Sequence, residues 1–312
     1  MKTRQPAEPR AHHFVPKCWL AGFTDTGEPN GMLYVTDLKR KRQWRCKPSK
    51  AGHQRDFNRV NGAGTLDPLV IEKLFSSIES DIAPVFRRLT REKRGPKDGF
   101  ELGILVEYLA IQLVRVPSFR AVVRGALESH FRKEILSSPE AWERALRRVG
   151  ASLGDPGTDY ARVLEGLATG EMKFTAEPQF YLRQAAGVLE DVDETQSLMK
   201  RDWGWQISES GQVIGSDNPV ALDGPPDEPI GIGNAPWVSY PVNRHLLLYG
   251  TKDVIEPPHL TMKLIARHNT FAMLTADERV FSHRPDFLWL DSAGHCQTDW
   301  RLFSKVDFTP TQ

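Results

Sequence analysis

The sequence predicts an α+β fold, with β segments at both ends and an α-helical bundle between them. Three observations carry that prediction. Over residues 10–60 short apolar runs alternate with polar turns, over 67–200 the apolar residues recur with a helical period, and over 203–312 strand-like runs return. We read residues 1–312 as one domain built from these three sub-regions, whose terminal strands can share a single sheet.

The N-terminal β segment rests on "GMLYVTDLKRKRQWRCKP". Leu33 to Leu38 and Gln43 to Cys46 read as two strands around the basic turn Lys39-Arg40-Lys41-Arg42. The helical middle opens at Asp67-Pro68, an N-cap followed by a first-turn proline. Ile71, Leu74, Phe75, Ile78 and Ile82 then form one apolar stripe, which Pro84 is expected to kink or divide. "GFELGILVEYLAIQLVRVP" is apolar around most of its circumference, as the central helix of a bundle would be, and ends at Pro117. A basic amphipathic stretch runs from Ser118 to about Arg148, and helices follow near Tyr160–Leu167 and Pro178–Met199. In the C-terminal region, Trp205 to Ser208 and Val213 to Ser216 read as a hairpin around a Ser-Gly turn. "WVSYPVNRHLLLYG" gives two more strands, a helix covers about Leu260 to Leu274, and "DFLWLDS" is a short β segment.

Composition limits the function classes. Hydrophobic residues make up 40% and charged residues 26%, a globular balance. Lys plus Arg (41) nearly cancels Asp plus Glu (40), which excludes a uniformly basic surface but leaves room for a local basic patch. Cys18, Cys46 and Cys296 have no metal-ligand spacing, against a zinc knuckle or disulfide framework. The opening "MKTRQPAEPR" has no apolar segment after it, and no stretch approaches the roughly 20 apolar residues of a membrane span. The expectation is a cytoplasmic protein without a membrane partner; the oligomeric state is left open.

Candidate site residues lie in three places. His12 and His13 stand side by side in "RAHHFVPKCWLAGF". Imidazole can be a metal ligand or a general base, yet adjacent residues of an extended segment face opposite ways, so one histidine faces the site and the other serves the structure. Gln112 and Arg115 are neighbours on a helix of Leu, Ile, Val and Ala. A guanidinium there needs a carboxylate or a ligand anion, and Asp217, Glu72 or Glu79 can supply the carboxylate. Glu72 and Glu79, seven residues apart, share a helix face about 10.5 Å apart along the axis, far for one metal but able to orient an arginine. Asp217 and Asn218 sit at a strand end before Pro219, either as displayed functional groups or as an Asx-turn. His268 reads as a packing or capping residue. No Gly-rich phosphate loop, Gly-x-Ser-x-Gly elbow, His-Glu-x-x-His or dinucleotide fingerprint occurs, and "GIGNAP" lacks the strand-to-helix context.

"HHFVPKCWLAGFTD", "LYVTDL", "IEKLFSSIES", "LAIQLVRVPSFR" and "GSDNPV", in this order and spacing, resemble the uncharacterised bacterial family catalogued as domain of unknown function 4238. The resemblance implies one shared fold over most of the chain and no assigned activity. The family often has Thr where this chain has Val116, so nothing catalytic is placed there. "HHFVPK" also looks like the start of an HNH endonuclease motif, but His53 and Asn58 follow without the compact ββα spacing, so nuclease stays as a class only.

Two functions are weighed. One is a metal-dependent phosphodiester hydrolase, a nuclease of bacterial defence or of toxin-like type. His12 or His13 would act as base or ligand, Gln112 and Arg115 would position the anion, Asn218 would stand beside Asp217, and His13, Asp217, Glu72 and Glu79 are the candidate donors to a divalent metal. Nucleic acid is then the candidate partner. The other is a non-enzymatic binding or regulatory protein in which the same His, Arg and Asp residues form a structural network.

Overall fold

A computed structural model describes residues 10–60, 67–148, 150–152, 154–155, 157–173, 176, 178–190, 192–223, 230–252 and 262–308. The first nine residues of the opening decapeptide lie outside the described set, as do Leu260 and Thr261 at the expected start of the late helix. In chain order the elements are β1 (Ala11–His13), α1 (Lys17–Ala21), β2 (Leu33–Asp37), β3 (Arg42–Cys46) and β4 (His53–Arg55). Helices follow: α2 (Val70–Glu92), α3 (Gly99–Val114), α4 (Pro117–His130), α5 (Pro139–Arg148), α6 (Tyr160–Thr169), α7 (Pro178–Glu190) and α8 (Val192–Met199). The chain then returns to β5 (Asp202–Ile207), β6 (Gly215–Ser216), β7 (Ala221–Asp223), β8 (Trp237–Asn243) and β9 (Leu246–Thr251), before α9 (Met262–Thr275) and β10 (Arg279–Ser282).

Two compact units emerge. One combines the chain up to Pro117 with the chain from Ala185 onward, and the other spans Ser118–Gln184. The helices of the middle are divided between these two units. Helices α2, α3 and α8 belong with the sheets, whereas α5 and α6 have their own core of Leu136, Trp142, Leu146 and Val163. The Trp142 indole donates to the Thr158 carbonyl at 2.7 Å inside that second unit.

The first unit is α+β, and its terminal strands share a sheet as the pattern predicts. The order is β3-β2-β10-β6, all antiparallel, with Val35 opposite both Trp44 and Phe281. Leu33 and Val35 point one way into the main core with Phe281, because strand side chains alternate. A second sheet has the order β5-β9-β8-β7. Every residue of β9 is buried, so its sequence "LLLYGT" reads as a continuous apolar run rather than an alternation. The hairpin expected between Trp205–Ser208 and Val213–Ser216 does not form. The first segment pairs along all of β5 with β9, and Ser216 pairs with Val280 in the other sheet. Gly211, at φ +68°, turns the chain between two sheets instead of between two paired strands.

Pro84 does not divide α2. It lies within a helix running from Val70 to Glu92, on an exposed position, while Ile82, Phe86 and Leu89 bury the opposite face. Packing of that face offsets the lost backbone donor. Asp67 lies two residues before the cap: its carboxylate accepts from the Leu69 amide, and the N-cap position is Leu69. Asp98 caps α3 by accepting from the Glu101 amide, and α3 ends at Val114 with Arg115 as its C-cap, just before Pro117 opens α4. The buried face of α3 is mostly apolar, with Leu105, Val106 and Leu109, yet Tyr108 and Gln112 lie in the same face.

Candidate functional site

β1 places the histidine pair. It is a three-residue strand paired with β4, with His12 opposite Gln54 and His13 opposite His53. The chain leaves it by a tight turn in which the Gly52 carbonyl accepts from both Phe14 and Val15 amides at 3.0 Å. Gly52 sits at φ +59°, where a Cβ would come 2.7 Å from Val15 Cβ, so the position suits glycine for two reasons.

Both imidazoles are buried, and they do different things. His12 Nδ1 accepts from the Asn58 amide at 3.0 Å, which fixes the ring proton on Nε2 when the ring is neutral. The Asn58 side chain donates to Glu72 Oε1 at 2.6 Å, and that oxygen lies 3.6 Å from His12 Nδ1. His12, Asn58 and Glu72 thus join β1 to α2. His13 turns to the other side, with its ring centroid 5.2 Å from that of His53. Its Nε2 has no hydrogen-bond partner within the protein. Burial, with Lys17, His53 and Arg115 around it, pushes the ring down to about 4, so it is neutral at physiological pH. His53 is held below its ordinary value by burial and by Lys50, Arg279 and Lys17.

Arg115 is buried and paired, and Glu79 is its carboxylate. Nη2 donates to Glu79 Oε1 at 2.9 Å and to the His13 carbonyl at 2.8 Å, while the guanidinium lies over the Phe75 ring at 4.3 Å. Glu72 and Glu79 therefore face inward from α2, and each orients a partner instead of standing on a solvated flank. The Arg115 Nε and Nη1 groups remain unpartnered within the protein. So do both amide atoms of Gln112, which is fully buried, and the hydroxyls of Tyr108 and Tyr240.

These groups converge. Tyr108, Gln112 and Arg115 follow one another at i, i+4 and i+7 on α3, hence on one face. Burial raises Tyr108 well above its ordinary value, and Cys18, Arg115, Tyr240 and Glu79 all act on it. Burial does the same to Tyr240, with Cys18 and Arg115 beside it, and pushes the Cys18 thiol up to about 12 next to Glu79 and Arg115. α1, α2, α3 and β8 thereby enclose a polar cluster inside an apolar core. Seven buried nitrogen or oxygen atoms without a partner belong to five of its residues: His13, Tyr108, Gln112, Arg115 and Tyr240. An unsatisfied buried polar atom costs about 1–3 kcal/mol, so seven of them in these five residues make this cluster the candidate site for a bound ligand or ordered water.

Asp217 and Asn218 serve a different place. The Asp217 carboxylate accepts from the amides of Asp277, Glu278 and Arg279 at 2.8–2.9 Å, the turn that leads into β10. Burial pushes this carboxyl up to about 7 against the pull of those amides. Asn218 donates to the Thr275 carbonyl at 3.1 Å, and Ser216 Oγ bonds both the amide and the carbonyl of Asn218. Ser-Asp-Asn-Pro is thus a clamp between β6, the end of α9 and the start of β10.

The expected divalent metal does not fit these residues. Of its four candidate donors, Asp217 is bonded to three amides, Glu79 to Arg115 and Glu72 to Asn58, and His13 bonds none of them. Among the described residues no group of three or more His, Cys, Asp or Glu side chains is arranged to hold a metal ion.

A family model described as "Protein of unknown function (DUF4238)" matches residues 11–286. The chain belongs to the DUF4238 family. The match takes in β1 through β10 and so every residue of the polar cluster. No curated protein and no solved structure matches this DUF4238 chain. Among the described residues no single helix is long and apolar enough to cross a membrane.

His268 of the DUF4238 chain is structural, as its sequence context implies. Its ring bridges Ser239 Oγ and the Ile214 carbonyl at 3.1 Å each, and burial pushes it down to about 4. Asn269 beside it bonds the Ile214 amide and the carbonyls of Gln212 and Leu288. Sequence reasoning missed Cys18, Tyr108 and Tyr240. Tyr108 carried a signal, four residues before Gln112 on the same helix; Tyr240, on a strand of another sub-region, carried none.

Proposed function

We propose that the chain binds a small molecule through a phosphoryl or carboxylate oxyanion in the cluster of His13, Tyr108, Gln112, Arg115 and Tyr240. The single observation behind this reading is the surplus of buried donors: Arg115 Nε and Nη1, the Gln112 amide nitrogen and two tyrosine hydroxyls, all without a partner in the protein. Such a set suits a ligand rich in acceptor oxygens. Arg115 is held in place by Glu79 and the His13 carbonyl and stacked on Phe75, so it meets the ligand already oriented. His13 Nε2 and Gln112 Oε1 are available to a hydroxyl or amide of the same ligand. Metal-dependent phosphodiester hydrolysis gains no donor set here, and the reading is therefore one of binding.

Part of the motif set is read as structural for a separate reason. His12, Glu72, Asp217 and Asn218 all have bonds to fixed partners, so they tie β1 to α2 and β6 to β10. Calorimetric titration with orthophosphate, pyrophosphate and succinate tests the proposal. Binding by the native chain that is lost in Gln112→Leu and weakened in Tyr240→Phe, both folded by circular dichroism, is the expected result. Absence of heat with all three probes, or equal affinity in both variants, overturns it.

A further inference from the structure

We infer that the face of the first unit bearing Trp44 and His53 binds a single-stranded nucleic acid. The inference stands on residues other than the interior donors, and it starts from a strip of cations around one indole. Arg42 lies over the Trp44 ring at 5.5 Å and Arg279 at 6.0 Å, one from β3 and one from β10, two strands on either side of β2. Arg279 also acts on His53, together with Lys50 and Lys17, and the His53 ring lies tilted at 54° to that of buried His13, centroids 5.2 Å apart. Arg42, Trp44 and Arg279 on β3 and β10, with His53 of β4, Lys50 in the turn before it and Lys17 at the start of α1, make up this run.

The charge of that run is out of proportion to the chain. The whole sequence has a formal net charge of +1, whereas this run brings together Lys17, Arg42, Lys50 and Arg279. Its neighbouring carboxylates are Asp37, which is buried and bonded to Arg40, and Glu278, which is bonded to Arg40 and 3.6 Å from Arg279. Among the described residues Lys17, Arg42 and Lys50 form no ion pair, and all three are exposed. Of the other cations of the β2–β3 turn, Arg40 bonds Asp37 and Glu278 and Lys41 donates to the Phe303 carbonyl. Trp44 is half-buried and packs against the core.

A flexible strand with phosphates and stackable bases is the partner this arrangement fits. The cations take the backbone, and the indole offers a π surface for a base. A duplex, whose bases are already stacked on one another, would leave Trp44 unused. His53, half-buried on β4, adds hydrogen-bonding capacity at the end of the run nearest the interior.

Fluorescence anisotropy with a labelled 12-nucleotide uridine strand, a single-stranded DNA of equal length, a DNA duplex and heparin tests the inference on the full chain. Expected is binding of the single strands above the duplex and heparin, with a slope of log K against log salt of about −3 for four phosphates at roughly 0.7 each. Lys17→Ala, Arg42→Ala and Lys50→Ala should each weaken binding and make the slope shallower by about 0.7. Trp44→Leu should cost on the order of 10-fold. Arg301→Ala, which removes an arginine lying over Trp300 outside the run, should change nothing. No binding at 50 mM salt, equal binding of heparin, a preference for duplex, or surface variants indistinguishable from the native chain overturns it. The charge variants lie on exposed side chains, so they decide the matter even if Trp44→Leu fails to fold.

Discussion

Replacing Gln112 with leucine should make the unliganded protein more stable. Gln112 is fully buried on α3, and neither its amide nitrogen nor its amide oxygen is bonded within the protein. Leucine of similar volume breaks no hydrogen bond there and removes an amide whose burial without a partner costs about 1–3 kcal/mol. Shape mismatch on repacking takes back part of that, typically under about 1.5 kcal/mol. The expected net gain is about 1 kcal/mol. Urea and thermal unfolding of both proteins at pH 7.5, with and without orthophosphate, read the effect. Without the anion the leucine variant should unfold later. With the anion at about 100 times its dissociation constant the native chain should gain about 2.7 kcal/mol, and the variant should gain much less. A variant destabilised by more than about 1 kcal/mol without ligand refutes the reasoning, because the amide would then be bonded in the folded state. A residue retained at a cost to stability is what a binding site requires.

Three further outcomes follow from the bonds described. Glu79→Ala leaves the Arg115 guanidinium, 1% exposed, without its carboxylate and should cost about 3–5 kcal/mol; adding Arg115→Met should restore part of the loss, and a strictly additive pair by urea denaturation would contradict the ion pair. Asp217→Ala frees the amides of Asp277, Glu278 and Arg279 and should cost about 3 kcal/mol at roughly 1 kcal/mol per bond; hydrogen exchange at those three amides should accelerate, and unchanged exchange would refute the clamp. His268 is neutral when folded, with its ring pushed down to about 4 from an ordinary 6.5. The unfolded chain takes up the proton first, so the contribution of His268 is complete above pH 6.5 and lost as pH falls toward 4, about 3 kcal/mol in all. The stability difference between the native chain and His268→Gln should shrink by about that amount between pH 7.5 and pH 4; parallel pH curves would refute it.

Much of the fold was legible because periodicity records which face is buried. The stripe of α2, the apolar run of α3 and the β2–β3 pair all follow from it, and the sharing of one sheet by terminal strands appears in the pairing of β2 with β10. The expected 205–216 hairpin failed because strand-like runs do not name their partners. Register is chosen by the sheets on either side, and β5 finds β9 while β6 finds β10. Pro84 failed as a divider because the packing of Ile82, Phe86 and Leu89 outweighs one missing donor. In the site, Arg115 in an apolar helix announced its need for a carboxylate, and Glu79 answers it. Asp217 shows the limit of the same argument. Its motif looks functional in one dimension, but three amides from sixty residues downstream claim both oxygens.

The pairing of β2 with β10 also sets a clock. Residue 37 leaves the ribosome about 240 residues before residue 279, which at roughly 5–20 residues per second is an interval of about 12–48 s. Throughout it β2 has β3 on one side and a bare row of backbone donors and acceptors on the other. Tyr240 likewise comes late to the cluster that Arg115 has already begun. The newborn chain therefore spends most of its synthesis with an open edge and an unfinished interior, and it is in that interval, before β10 closes the sheet, that chaperones and neighbouring chains compete for it.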